Sequence, residues 1–204
     1  MYEKYNKITI INGFESRSNV IKKEDWFTIP NILSYVRVAL IPIYMSMYIN
    51  AEVVTDYYCA AGILLLSGIT DALDGIIARK TNQITDLGKL LDPIADKLTQ
   101  VAVIAVMFVE RPYVLPLLIL FILKELFLLI NNIILYRKDE FMDGSMWFGK
   151  VATVVFYVCT FLLVVFPYLG QRESMPLIII TAGFQIIALI GYANWFVKRF
   201  KALK

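Results

Sequence analysis

DALDGIIARKTNQITDLGKLLDPIADK, residues 71–97, places five aspartates in a chain that is otherwise strongly apolar, and four of them, Asp71, Asp74, Asp92 and Asp96, are spaced as a pattern. Asp71, Asp74 and Ala78 follow i, i+3, i+7 spacing, and Gly88, Asp92 and Asp96 follow i, i+4, i+8. Each set therefore falls on one face of a helix. If the two helices face each other, four carboxylates converge on one small volume. Four uncompensated negative charges partly inside a bilayer are very unfavourable, so positive charge must sit among them. An oxygen-only donor set of this density suits a hard divalent cation, Mg²⁺ or Mn²⁺, better than zinc.

The flanks of this stretch set the class. Apolar residues make up 59% of the 204 residues, mean hydropathy is +0.66, and that excess has to be buried in lipid. Apolar runs at 31–49, 56–78, 88–109, 113–136, 148–168 and 175–197 each approach or exceed the roughly 20 residues that span a bilayer. The expectation is an all-α integral membrane protein with six transmembrane helices. Residues 1–28 are polar and of mixed charge, with no signal-peptide pattern. The stretch VIKKEDWFTIP at 20–30 joins Lys22 and Lys23 to Trp26 and Phe27. It suits a short juxtamembrane amphipathic helix lying in the interface, or equally a plain linker.

Orientation follows from the basic residues. The N-terminal segment, Arg79, Lys80, Arg137, Lys138, Lys198, Arg199, Lys201 and Lys204 fall on one side, and only Arg111 and Arg172 fall in the opposite loops. Both termini and the aspartate cluster are thus expected on the cytoplasmic face of a multi-pass protein of the cell membrane. Pro42 lies inside the first run and Pro93 directly follows Asp92, where proline loosens the local hydrogen-bond ladder.

Composition also excludes chemistry. The chain has no histidine, which removes histidine-based acid–base catalysis and a Ser-His-Asp triad. A net charge of +3 calls for no nucleic-acid partner. Cys59 and Cys159 stand in separate apolar runs and read as small packing residues.

The pattern Asp71-x2-Asp74-Gly75-x2-Ala78-Arg79-x8-Gly88-x3-Asp92-x3-Asp96 resembles, at all eight fixed residues, the signature of the CDP-alcohol phosphotransferase family. An acidic gate in a cation transporter is the alternative reading of the aspartates, but it needs no Gly75, Ala78, Arg79 or Gly88 at set distances. The resemblance implies one transmembrane catalytic domain over 29–204 after the 1–28 segment. It also implies two divalent cations, since a metal pair about 4 Å apart can hold the attacking and leaving oxygens of a displacement at phosphorus. Asp71, Asp74, Asp92 and Asp96 are the implied metal ligands, with Asp96 also the implied general base for an alcohol acceptor. Asp74, Gly75, Ala78, Arg79 and Gly88 are the implied holders of the CDP part of the donor. Glycines let a ligand or a partner helix approach the backbone, and arginine makes paired hydrogen bonds to phosphate. Family members are commonly homodimers.

IPNILSYVR puts Asn31, Ser34 and Arg37 on one helical face. It resembles the Ile-Pro-Asn-x-x-Thr-x-x-Arg opening of bacterial phosphatidylglycerophosphate synthases and reads as a third wall of the donor pocket. Within the family that group is the nearest likeness. It implies transfer of a phosphatidyl group from CDP-diacylglycerol to sn-glycerol 3-phosphate, releasing CMP. Arg37, Lys124 and Lys150 are the cations assigned to the acceptor. Where such synthases read Arg-Glu and Gly-Lys-x-Lys/Arg-Thr, this chain has Lys124-Glu125 and Gly149-Lys150-Val151-Ala152-Thr153. One cation is changed and one is missing, which fits the alternative of a cardiolipin synthase whose acceptor is phosphatidylglycerol.

Overall fold

The structure, a computed structural model, describes residues 26–80, 85–138 and 146–202. The described residues are helical, with no strand among them. In chain order the helices are α1 (Ile29–Ile49), α2 (Val54–Lys80), α3 (Asp86–Glu110), α4 (Leu115–Tyr136), α5 (Trp147–Val165) and α6 (Gln171–Ala202); a 3₁₀ turn, Pro112–Val114, leads into α4. Four stretches are long and apolar enough to cross a membrane: Ile29–Ile49, Pro112–Leu135, Trp147–Val165 and Gln171–Ala202. The helices outside that group, α2 and α3, are those that carry the aspartates. Lys22 and Lys23 of the expected interfacial helix lie outside the described residues. Trp26 and Phe27, at its end, form a short 3₁₀ turn with both rings exposed.

Local chemistry explains the helix ends. Pro30 sits in the first turn of α1, where its missing N–H costs nothing. Thr85 caps α3, its hydroxyl accepting the Gly88 N–H at 2.9 Å. Phe166 precedes Pro167 and leaves the helical region, at φ −112° and ψ 72°, so α5 stops at Val165, short of the apolar run's end at 168. At α6 the helix outruns its apolar core. Glu173 in its first turn and Arg199 and Lys201 in its last oppose the helix dipole, so the polar ends stay helical. Helix α1 continues through Pro42 and α3 through Pro93.

Two groups of helices make the bundle. Helix α1 packs mainly on α2 and α3, and α6 packs on α5 and α4; α2 against α5 and α3 against α4 join the groups. The larger apolar core gathers Tyr48, Ile104, Phe121, Phe156 and Leu163, and a smaller one gathers Leu135, Ala188, Tyr192 and Phe196. Polarity is arranged inside out. Ile119, Leu123 and Ile130 of α4 and Ile179, Ile187 and Ile190 of α6 face outward, whereas Asn31, Arg37, Asp74, Gln100, Lys124 and Gln185 are buried. Lipid tolerates the first set and excludes the second, so this is the surface of a membrane protein. Cys159 is buried as a packing residue, while Cys59 is exposed on α2.

Candidate active site

Three helices and one reaching side chain build the acidic site. Asp71 and Asp74 lie three residues apart near the C-terminal end of α2, and Asp92 and Asp96 lie four apart in the first half of α3. Helix α1 packs on both and presents Ser34 and Arg37 from adjacent turns of one face. Arg37 Nη1 is 2.6 Å from Asp71 Oδ1, and its Nη2 binds Asp74 Oδ2 directly. The Ser34 hydroxyl donates to Asp92 Oδ1 at 2.5 Å. Helix α1 therefore makes contact with aspartates of both α2 and α3.

Their exposures differ in a useful way. The Asp74 side chain is 5% exposed and Asp71 53%. Asp74 is thus anchored in the protein, whereas Asp71 opens outward where a ligand can reach it. Among the described residues no three acidic, histidine or cysteine side chains form a ready metal-ligand cluster. The guanidinium of Arg37 instead supplies positive charge to the α2 pair. As a donor set the site still fits a hard cation: four carboxylates from two helices, every donor an oxygen.

Asp96 is held differently from the other three. The Tyr157 hydroxyl, from α5, donates to Asp96 Oδ1 at 2.5 Å. Gln100 Nε2, one turn along α3, lies 3.4 Å from Asp96 Oδ2. Beyond Asp96 a polar chain runs from partly exposed Lys97 to buried Lys124 and Gln185. Lys97 Nζ is 3.2 Å from Glu125 Oε1, Lys124 Nζ is 2.7 Å from the same oxygen, and Lys124 also donates to Gln185 Oε1 at 2.7 Å. Such pairing is what makes a buried lysine tolerable in the middle of α4.

Several sequence assignments acquire a different or a sharper meaning. Gly88 is required by a close approach, and the approaching group is a helix side chain. A Cβ there would meet Asn31 Oδ1 at 2.6 Å and Thr85 Oγ1 at 3.1 Å. Asn31, read as donor wall, donates to the Thr85 hydroxyl at 3.1 Å and so ties α1 to the cap of α3. Arg37, assigned to the acceptor, is committed to Asp71 and Asp74. Lys124 is committed to Glu125 and Gln185 rather than open to a phosphate. Lys150 is exposed in the first turn of α5. Gly75, Ala78 and Arg79 lie in the last turns of α2, and their surroundings fall outside the described residues.

Tyr157, Gln100 and Gln185 escape a reading of spacing, since each stands alone in an apolar run. The available signal was chemical: a buried phenol or amide in such a run needs a polar partner.

Across residues 27–195 the chain matches the family model described as CDP-alcohol phosphatidyltransferase. It is 30% identical over 181 residues to the CDP-diacylglycerol–glycerol-3-phosphate 3-phosphatidyltransferase of Aquifex aeolicus, covering 86% of this chain and 97% of that one. It is 34% identical over 142 residues to the cardiolipin synthase (CMP-forming) of Streptomyces coelicolor, covering 68% of this chain and 66%, just under two thirds, of that one. A human cardiolipin synthase (CMP-forming) is 41% identical over 91 residues, 44% of this chain and 28% of that one.

Proposed function

The chain belongs to the CDP-alcohol phosphatidyltransferase family, and from that premise we propose that it transfers a phosphatidyl group from CDP-diacylglycerol to sn-glycerol 3-phosphate. CMP is the leaving group. Membership makes the chain a transferase, and the acidic cluster is no longer read as a transporter gate. The observation that carries the reading is the gathering of Asp71, Asp74 and Asp92 on one face of α1 through Arg37 and Ser34, with Asp96 alongside on Tyr157.

Asp71, Asp74, Asp92 and Asp96 would hold two Mg²⁺ or Mn²⁺ ions, which when bound supply charge stabilisation for both oxygens of an in-line displacement at phosphorus. The residues do the rest. Asp96 takes the proton of the acceptor hydroxyl as that oxygen bonds to the phosphatidyl phosphorus, and the CMP oxygen departs with the electron pair. Arg37 keeps Asp71 and Asp74 on their common side. Asp74, Gly75, Ala78, Arg79 and Gly88, with Asn31 and Ser34 on α1, form the donor side. Exposed Lys150, at the start of α5, forms the acceptor side.

The proposed setting is a 29–204 transmembrane domain of six spans, preceded by a 1–28 segment with an interfacial helix. It works as a homodimer in the cell membrane with both termini and the site facing the cytoplasm. The two added spans are α2 and α3, whose carboxylates need a polar neighbourhood at one end only. The basic residues near that end support the orientation.

A second acceptor, phosphatidylglycerol, is favoured by one specific observation. Lys124 is already neutralised by Glu125, and position 152, basic in the synthases this chain resembles, is a buried alanine. The deciding assay supplies CDP-diacylglycerol and one acceptor at a time to the purified protein and identifies the lipid product by mass. Phosphatidylglycerophosphate supports the first reading, and cardiolipin alone replaces it with the second. No CMP release with either acceptor would sink both.

A further inference from the structure

We infer that Tyr157 is a positioning residue for Asp96, an inference that rests on the role given to Asp96 above. Ser34 and Arg37 of α1 hold three of the four aspartates, and neither makes a described bond to Asp96. That carboxylate is gripped from α5, by a phenol whose hydroxyl donates to Oδ1 at 2.5 Å. Gln100, 1% exposed, lies against the other oxygen at 3.4 Å. With one oxygen tied to α5 and the other facing a buried amide, rotation about the Asp96 Cβ–Cγ bond would break both contacts. The carboxylate plane is thereby set before any substrate arrives.

The tyrosine is itself well braced. Its ring stands edge-on to Phe156, with centroids 5.6 Å apart at 82°, and Phe156 is fully buried in the main core. The ring packs against the main core, and the hydroxyl it carries reaches one carboxylate on another helix, 61 residues away. It also couples the α4–α6 half of the bundle to the acidic site.

Tyr157→Phe in the full-length protein removes the hydroxyl and keeps the ring. Loss of one hydrogen bond to a charged group should lower kcat for CMP release by about 10- to 100-fold, with KM for CDP-diacylglycerol within about twofold. The infrared carboxylate band that Asp96→Asn abolishes should shift in Tyr157→Phe, in the absence of any substrate. The double variant should be no slower than Asp96→Asn alone, since Tyr157 acts only through Asp96. Multiplying losses in the double variant, or an unmoved infrared band, would overturn the positioning role. A Tyr157→Phe loss explained by a fall in melting temperature would overturn it too. Full activity of Asp96→Asn is a separate failure: it would remove the role of Asp96 itself, whatever the infrared band reports.

Discussion

Arg37 Nη1 lies 2.6 Å from Asp71 Oδ1, so an arginine two turns into α1 neutralises the outermost carboxylate of α2. The same guanidinium binds the buried Asp74. Removing one partner of a buried pair leaves an uncompensated charge, at a cost of about 3–5 kcal/mol. Arg37→Met, which keeps much of the volume, is therefore expected to lower the melting temperature of the purified protein sharply. Because the stranded carboxylates are candidate cation ligands, Mg²⁺ should recover part of that loss in the variant. A thermal scan of both proteins with and without Mg²⁺ checks this, and no Mg²⁺ response in Arg37→Met would count against shared use of the carboxylates.

Metal removal separates the aspartates. EDTA should abolish CMP release, and Mg²⁺ or Mn²⁺ should restore it. Asp→Asn at Asp71, Asp74 or Asp92 keeps size but removes charge, so activity should fall and partly return at high Mg²⁺. At Asp96 the loss should persist at saturating Mg²⁺, because added cation does not replace a base. Titration of CMP release against Mg²⁺ for each variant is the measurement. Recovery of Asp96→Asn at high Mg²⁺ would make Asp96 a ligand alone.

Gly88 offers a steric test. Gly88→Ala places a methyl group 2.6 Å from Asn31 Oδ1, closer than two such atoms can lie, so the buried Asn31 amide must leave its place on Thr85 or α1 must shift from α3 and draw Ser34 off Asp92. A loss of at least about tenfold in kcat/KM is expected from such misplacement. Adding Asn31→Ala removes the obstructing amide and should restore part of the activity, even though Thr85 loses its partner. If the second substitution deepens the defect, the contact with Asn31 is not what makes position 88 a glycine.

Arg111 provides a contrast at the opposite end of the bundle. It is buried and donates to three carbonyls that follow or close α5: Leu163 at 3.0 Å, Phe166 at 3.3 Å and Pro167 at 2.9 Å. Helix ends leave such carbonyls without partners, and the arginine satisfies them. Arg111→Met is expected to cost about 2–3 kcal/mol of stability, while kcat per folded molecule stays within about twofold. Parallel measurement of melting temperature and of active-site-normalised CMP release tests this. A selective loss of kcat at unchanged stability would place Arg111 in the chemistry instead.

The helices, their apolar character and the faces carrying the aspartates were all determined by sequence, because helical periodicity and hydropathy are local properties. Asp71 and Asp74 share a face at three residues' spacing wherever the helix goes, and Asp92 and Asp96 do so at four. The motif was legible for the same reason. What held each carboxylate was not. Arg37 and Asp74 are 37 residues apart, Ser34 and Asp92 58, and Tyr157 and Asp96 61. A helix in lipid is apolar nearly all round, so its pattern carries little record of which side meets which neighbour. The family resemblance pointed Arg37 and Lys124 at an acceptor, whereas packing gave Arg37 to Asp71 and Asp74 and Lys124 to Glu125 and Gln185. Only the tertiary structure could decide these, because a buried charge takes the partner that close packing brings within about 3 Å, however far away it lies in the chain.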